Sequence, residues 1–369
     1  MWLRTVRLSN FRNYESMEIE FERGLNFLHG PNGSGKTSVL EAVSYLAVAR
    51  SLRSAADSEV VRWGEDTFGV GGEVEDDGRT ETIVLRFKKG GSKEVTVHGE
   101  PVGRLADLVG HLRVAWFSPE DTWITKGAPD ARRRLLDMTL CQIDAGYLAA
   151  LTGYKRALRQ RNEALLNWTP DDESDRIVDT WTEKVLDYGS RVVAGRACMI
   201  PKLGDAVRGF HDAISGEDSL ALGYRSSVAL GDETDEKAAR ERFASALESC
   251  REDERRRGFT LVGPHRDDLE VRLGGRLLRS FGSQGQHRTA AIALKLGEAA
   301  ILDSDEKGVV VLLDDVLSEL DERRGAALVS HIGSHGQALV TSTMRAPRGI
   351  APDDGAASFL VDGGEVVRQ

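Results

Sequence analysis

Gly30-Pro31-Asn32-Gly33-Ser34-Gly35-Lys36-Thr37 is a complete G-x-x-x-x-G-K-T phosphate loop, set between the apolar run Leu25, Phe27, Leu28 and a stretch of helical spacing. Backbone N–H groups in such a loop turn inward around phosphate oxygens, and the partly positive N-terminus of the next helix faces the same anion. Gly30, Pro31, Asn32, Gly33, Ser34, Gly35, Lys36, Thr37 and Ser38 are therefore expected to bind a nucleoside triphosphate. Lys36 is placed to reach the β- and γ-phosphates. Thr37 offers a hydroxyl to Mg²⁺, an ion that prefers near-octahedral oxygen ligation.

The 369 residues are enough for two or three domains. Cys141, Cys198 and Cys250 are far apart, odd in number and never in C-x-x-C, so neither a disulfide framework nor a zinc site is indicated. Residues 1–10 carry no apolar stretch of signal-peptide length, and no segment approaches the roughly 18 uninterrupted apolar residues of a membrane span. The expectation is a cytoplasmic protein with no membrane partner. A net charge of −10 argues against indiscriminate coating of nucleic acid by the whole surface, yet leaves local basic patches open.

Met17, Ile19 and Phe21 alternate with Glu18, Glu20 and Glu22, as in a half-buried antiparallel strand. After the phosphate loop, Val39, Leu40, Val43, Leu46 and Ala47 recur at helical spacing. Ile83, Leu85 and Phe87 turn through Gly90-Gly91 into Val95 and Val97, an antiparallel hairpin. Beyond Pro119 two helical stripes follow, Tyr147 to Leu165 and Ile177 to Val192, expected to pack antiparallel. Pro201 is expected to break the chain, 238–250 to be helical, and Phe259, Leu261, Val271 and Leu273 to lie in strands. The resulting division is a helical lobe over 120–255 inserted into a head made of 1–119 and 256–369, with no sustained heptads and hence no long coiled coil.

A second nucleotide element is Val309-Val310-Val311-Leu312-Leu313-Asp314-Asp315, a buried-type strand ending in two carboxylates, the form of a Walker B strand. Asp314 is expected to reach Mg²⁺ opposite Thr37, and Asp315 to polarise the attacking water. Ser283-Gln284-Gly285-Gln286 precedes a helix built on Ala290, Ile292, Ala293, Leu296 and Ala300, just upstream of that strand. In ATPases of the ABC type a signature element in this position serves the nucleotide held by a second subunit. Ser318-Glu319-Leu320-Asp321 follows the carboxylates where such ATPases carry a D-loop.

In this order and at these spacings, the motifs make the chain resemble the RecF family of bacterial recombination and repair ATPases. Leu8-Ser9-Asn10-Phe11-Arg12-Asn13-Tyr14, Arg50-Ser51-Leu52-Arg53, Phe117-Ser118-Pro119-Glu120-Asp121, Lys126-Gly127 with Arg132-Arg133-Arg134, and Gly263-Pro264-His265-Arg266-Asp267-Asp268 are similar to further signatures of that family. The resemblance implies an α/β fold, an ABC-type P-loop head with a mixed sheet, an antiparallel β-subdomain and a helical second lobe. It also implies a head-to-tail homodimer closed around two ATP molecules, with Ser283 and Gly285 of one copy on the γ-phosphate held by Lys36 of the other. Implied as well are weak DNA-stimulated ATPase activity, DNA binding at gaps or junctions, and action with RecO and RecR to help place RecA.

Three departures stand out. Asp315 stands where ABC heads usually carry Glu, and Thr341-Ser342-Thr343 stands where many relatives place a switch histidine; His335 lies upstream of that strand. No glutamine lies between Trp116 and Asp121 to form a Gln-loop. Candidate DNA contacts are the basic clusters Arg132, Arg133 and Arg134, then Lys155, Arg156, Arg159 and Arg161, then Arg255 to Arg257, each also readable as a solvated face paired with nearby acids. Rival readings are a transporter ATPase subunit, a nuclease-linked ATPase and an ATP-locked clamp that does not hydrolyse.

Overall fold

The computed structural model of the chain describes residues 1–53, 56–215, 218–231, 234–319, 325, 328, 332, 336–344 and 356–369. Two compact units are present, Met1–Asp121 with Glu298–Gln369, and Thr122–Gly297. The sequence division at 120–255 differs from these units over 256–297, which fold with the second unit.

The first unit opens with β1 (Trp2–Phe11), β2 (Tyr14–Glu20), β3 (Leu25–His29), α1 (Lys36–Val48) and the short α2 (Asp57–Val60). It continues with β4 (Thr67–Asp76), β5 (Arg79–Lys88), β6 (Lys93–Val97), β7 (Glu100–Pro101) and β8 (Val114–Phe117). The second unit holds α3 (Thr122–Lys126), α4 (Pro129–Ile143), α5 (Ala145–Leu166), α6 (Asp172–Ser215), β9 (Leu220–Arg225), α7 (Glu236–Arg257), β10 (Asp268–Leu273), β11 (Arg276–Leu277), α8 (Leu278–Phe281) and most of α9 (Gln284–Leu302). The chain then returns to the first unit with β12 (Val310–Asp314), β13 (Gln337–Ser342), β14 (Ala357–Asp362) and β15 (Glu365–Arg368).

Two six-stranded sheets make the first unit. One, ordered β2-β1-β4-β5-β6-β7, is antiparallel throughout and includes the expected hairpin, with Leu85 opposite Val95. The other, ordered β15-β14-β3-β13-β12-β8, is parallel except for β15. Its strands β12 and β13 are nearly continuous buried runs, because a parallel strand is covered on both faces. Helix α1 packs against strands of both sheets, and Val39, Leu40, Val43, Tyr45 and Leu46 join one core with Val6, Phe68, Leu312 and Leu339. Phe11, Tyr45 and Phe68 meet edge to face at centroid distances of 5.4 to 5.7 Å, the arrangement their ring quadrupoles favour.

In the second unit α5 and α6 run antiparallel, with Gly146 beside Arg191, Gly153 beside Tyr188 and Arg161 donating to Thr182, and α7 contacts both. Pro201 lies inside α6, which runs unbroken over 44 residues. A proline in a helix interior costs about 3 kcal/mol. Burial of Val185, Val192, Val193, Met199, Ile200, Leu203 and Val207 along the same helix outweighs it. Phe259 and Leu261 lie in an irregular turn, whereas Val271 and Leu273 lie in β10. That turn is held by side chains: Asn162 accepts from Thr260 N–H and Oγ1 at 2.8 and 2.7 Å, and Glu254 accepts from Leu261 N–H at 2.7 Å. Buried ion pairs fix the helices against one another, Arg196 with Asp137 at 2.8 Å and Arg161 with Glu254 at 2.7 Å.

Candidate functional site

Parallel pairing sets the site. In the register, Asp314 of β12 faces Thr341 of β13, and Thr341 faces Leu28 of β3, so the C-terminal ends of three strands line up. Ligands of open parallel sheets collect at this end of the strands. The phosphate loop leaves β3 there, and the β12 carboxylates arrive there from the other side of β13.

The loop's backbone demands its glycines. A Cβ on Gly30 would sit 2.0 Å from the carbonyl oxygen of Val361, and Gly35 has φ +112°, with a Cβ 2.6 Å from Asn13. Asn13 and Tyr14 brace the loop from outside, donating to the carbonyls of Ser34 at 3.0 Å and Gly35 at 3.1 Å. Lys36 is buried and donates to the carbonyls of Gly30 and Pro31, both at 2.8 Å. Burial lowers its pKa, while Asp315 and Asp314 pull it back up.

Thr37 donates from Oγ1 to Asp314 Oδ1 at 2.7 Å, and Thr341 donates to the same oxygen at 3.0 Å. Burial raises the Asp314 pKa against these two bonds and against the charge of Arg53, with Glu120 adding to the rise. Thr341 Oγ1 also accepts the Asp315 N–H at 2.9 Å, fixing the backbone at a residue held at φ +54°. Sequence reasoning placed Thr341 only as the residue standing where a histidine is absent; its role comes from the order of strands.

Lys36, Thr37, Asp314, Asp315 and Thr341 line one cavity of about 670 Å³. Its wall also holds Asn32, Gly33, Gly35 and Ser38 of the loop, and beyond the expected set Arg12, Asn13, Arg53, Glu59, Val61 and Trp63. Asn13 and Arg53 lie in segments quoted above for family likeness; nothing in the sequence marked Val61 or Trp63. The Arg12 guanidinium is committed, donating to both carboxylate oxygens of Glu41 at 2.8 Å and to the carbonyl of Glu59 at 3.0 Å.

Among the described residues no group of three or more His, Cys, Asp or Glu side chains forms a metal cage. Thr37 and Asp314 present two hard oxygens, a partial set that suits Mg²⁺ completed by phosphate and water. No helix among the described residues is long and apolar enough to cross a membrane.

The other expected residues lie elsewhere. Ser283 and Gln286 cap the start of α9 reciprocally: Gln286 Oε1 accepts the Ser283 N–H at 2.9 Å, and Ser283 Oγ accepts the Gln286 N–H at 3.2 Å. Ser283, Gln284 and Gly285 are exposed. Ser318 donates to the carbonyl of Asp315 at 2.7 Å, and Glu319 ends a 3-10 turn begun at Val316. Leu320, Asp321 and His335 lie outside the described residues.

Of the basic clusters, Arg132 is corrected. It is buried, paired with both oxygens of Asp268 at 2.6 and 3.1 Å, and donates to the carbonyls of Ile124 and Gly127, so four of its five N–H donors are committed and burial keeps the group from a phosphate. Arg133 donates to the carbonyl of Asp267 at 2.6 Å and pairs with Asp130. Arg161 is buried against Glu254, and Arg255 pairs with Asp175 while stacking on Trp168. Arg134 is exposed. Lys155, Arg156 and Arg159 are exposed on α5 and enter no ion pair among the described residues.

Residues 2–348 match the RecF/RecN/SMC N terminal domain family. The DNA replication and repair protein RecF of an Exiguobacterium species is 36% identical over 346 residues, covering 93% of this chain and 92% of that one. This chain belongs to the RecF family. RecF of Geobacillus thermodenitrificans is likewise 36% identical, with 93% of each chain covered. A solved structure of the recombination mediator protein RecF with ATPrS, described as part of the RecFOR pathway, superposes with a TM-score of 0.92 at 32% identity, covering 100% of this chain and 98% of that one. The fold is the ABC-type ATPase head of RecF and SMC proteins; a Pyrococcus furiosus Smc head shares it at a TM-score of 0.56 and 15% identity.

Proposed function

We propose that this RecF-family protein binds ATP with Mg²⁺ and uses it to drive head-to-tail pairing of two copies on DNA, with slow hydrolysis reopening the pair. The observation that carries the reading is the single cavity where Lys36, Thr37, Asp314 and Asp315 converge. Lys36 would reach the β- and γ-phosphate oxygens. Thr37 and Asp314 would hold Mg²⁺, which would supply positive charge to offset that of the phosphates. Asp315 orients the attacking water and takes its proton; one methylene shorter than glutamate, it makes a slow base.

The cavity's lining comes from the first unit, and the signature residues are not among it. Ser283 and Gly285, exposed at a capped helix start, serve the γ-phosphate of a second copy. Phosphate-tracking contacts to duplex or gapped DNA come from Lys155, Arg156 and Arg159, so affinity falls with salt and varies little with sequence. RecO and RecR, the other components of the pathway named for its relatives, are the expected partners in placing RecA, in the cytoplasm.

Sedimentation velocity with Mg²⁺-ATP tests the shared site. Wild type pairs, Lys36→Ala neither binds nor pairs, and Ser283→Arg binds ATP but stays single. A Ser283→Arg protein that pairs normally refutes the trans arrangement. Phosphate release with and without DNA separates an enzyme from a non-hydrolysing clamp.

A further inference from the structure

Thr341 is 1% exposed, whereas Asp314 and Asp315 are each half-buried at the cavity wall. Its hydroxyl makes two bonds of opposite sense. Oγ1 accepts the N–H of Asp315 at 2.9 Å and donates its proton to Oδ1 of Asp314 at 3.0 Å. The Leu313 carbonyl, at 3.4 Å, is a weaker target for the same proton. A hydroxyl has one proton to give and lone pairs to receive, so a single oxygen can serve both aspartates at once. The parallel register puts it there, with Asp314 of β12 opposite Thr341 of β13.

Asp315 needs such a hold. Successive side chains of an extended strand point to opposite faces, yet Asp314 and Asp315 line one cavity. The chain achieves this by leaving β12 through a left-handed residue, Asp315 at φ +54°. A residue with a Cβ rarely adopts that conformation, and it persists only where neighbours over-determine it. Two hydroxyls do so here: Thr341 takes the N–H of Asp315, and Ser318 Oγ donates to its carbonyl at 2.7 Å.

We propose that Thr341 is a positioning residue for nucleotide cleavage: its one hydroxyl fixes Asp315 relative to Asp314, and without it ATP binds but is cleaved poorly. Being buried, Thr341 acts through the carboxylates. This role rests on the reading of Asp315 as the residue that orients the attacking water, and the test separates the two. Wild type, Thr341→Val, Thr341→Ser and Thr341→Ala full chains are compared by phosphate release at saturating Mg²⁺-ATP, by calorimetric titration with ATP, and by urea unfolding without nucleotide.

Valine keeps the branched shape and removes the hydroxyl, while serine keeps the hydroxyl and removes the methyl. Thr341→Val is expected to lose about a hundredfold in kcat, the scale of a misplacement of about 1 Å, with KM and ATP affinity within about threefold of wild type. Thr341→Ser recovers most of the lost rate. Wild-type kcat in Thr341→Val overturns the proposal. A loss of ATP affinity as large as the loss of kcat does so too, because Thr341 would then support the whole site rather than position Asp315. So does a Thr341→Ser chain as slow as Thr341→Val, since the hydroxyl would not be the acting group. Should urea unfolding show that valine prevents folding, Thr341→Ala carries the same comparison. Wild type that binds Mg²⁺-ATP yet releases no phosphate sinks the reading of Asp315 itself, and the proposal with it.

Discussion

Thr37 Oγ1 lies 2.7 Å from Asp314 Oδ1, so a hydrogen bond across 277 positions of sequence joins the phosphate loop to the end of β12. Thr341 adds a second bond to the same oxygen. Two hydroxyls hold a carboxylate whose charged form burial disfavours.

Asp314→Asn is therefore expected to stabilise the nucleotide-free protein while removing its response to Mg²⁺. The sign follows from proton counting. With the folded pKa raised, the folded state binds more protons than the unfolded one above the ordinary carboxylate pKa, so stability falls as pH rises through that window. At neutral pH the charge is a standing cost, and the amide keeps an oxygen for both hydroxyls. A gain of about 1 kcal/mol in urea unfolding, with loss of Mg²⁺-dependent phosphate release, is the expected outcome. Lower stability in the variant would show that the charge is favourable there.

Lys36→Ala should cost ATP affinity about a hundredfold or more while leaving the nucleotide-free fold within about 1 kcal/mol of wild type. Among the described residues the ammonium bonds only to carbonyls of its own loop, and the desolvation that lowers its pKa offsets what those bonds contribute. Calorimetry with ATP and thermal unfolding without it check the two halves separately.

The phosphate loop and the β12 carboxylates were legible in the chain because each is a local pattern, a glycine-spaced turn or a buried run ending in acids. Thr341 was not, since its place depends on β13 lying between β3 and β12, an order of strands that no local period encodes. Pro201 misled because a local breaker was weighed without the apolar stripe that continues past it to Val207. Arg132 and Arg159 carry the same charge in similarly basic stretches. Only the tertiary position of Asp268, 136 residues away, separates a buried structural cation from an exposed one.

That contrast has a measurable form. Arg132→Ala leaves buried Asp268 with only the longer contact to Arg225, at 3.9 Å, among the described residues, and should cost about 3 kcal/mol of stability. Lys155→Ala and Arg159→Ala should change stability by less than about 0.5 kcal/mol, as exposed side chains with no ion pair among the described residues do. On DNA the order reverses: each of the two exposed changes should weaken binding evenly across sequences and lower the salt slope by about 1. A salt series showing no change in slope for either would remove α5 from the DNA surface.

His265 offers a pH signature for the second unit. Burial lowers its pKa to about 4, its Nδ1 lies 2.6 Å from the Tyr154 hydroxyl, and Arg266, Arg133 and Arg161 add positive charge around it. Its Nε2 lies 3.2 Å from the Thr260 carbonyl, which favours the charged form but does not reverse the shift. Between pH 6.5 and about 4 the unfolded chain binds a proton at this residue that the folded one does not. Stability therefore rises with pH across that window and is lost as pH falls, by up to about 3 kcal/mol from this group. Unfolding followed by urea at pH 7, 6, 5 and 4 should show the decline. His265→Gln, which keeps a hydrogen-bonding side chain for Tyr154 without a titrating ring, should be less stable at pH 7 yet show a flatter profile below 6.5. An unchanged slope in that variant would assign the acid sensitivity to other groups, and leave His265 as packing alone.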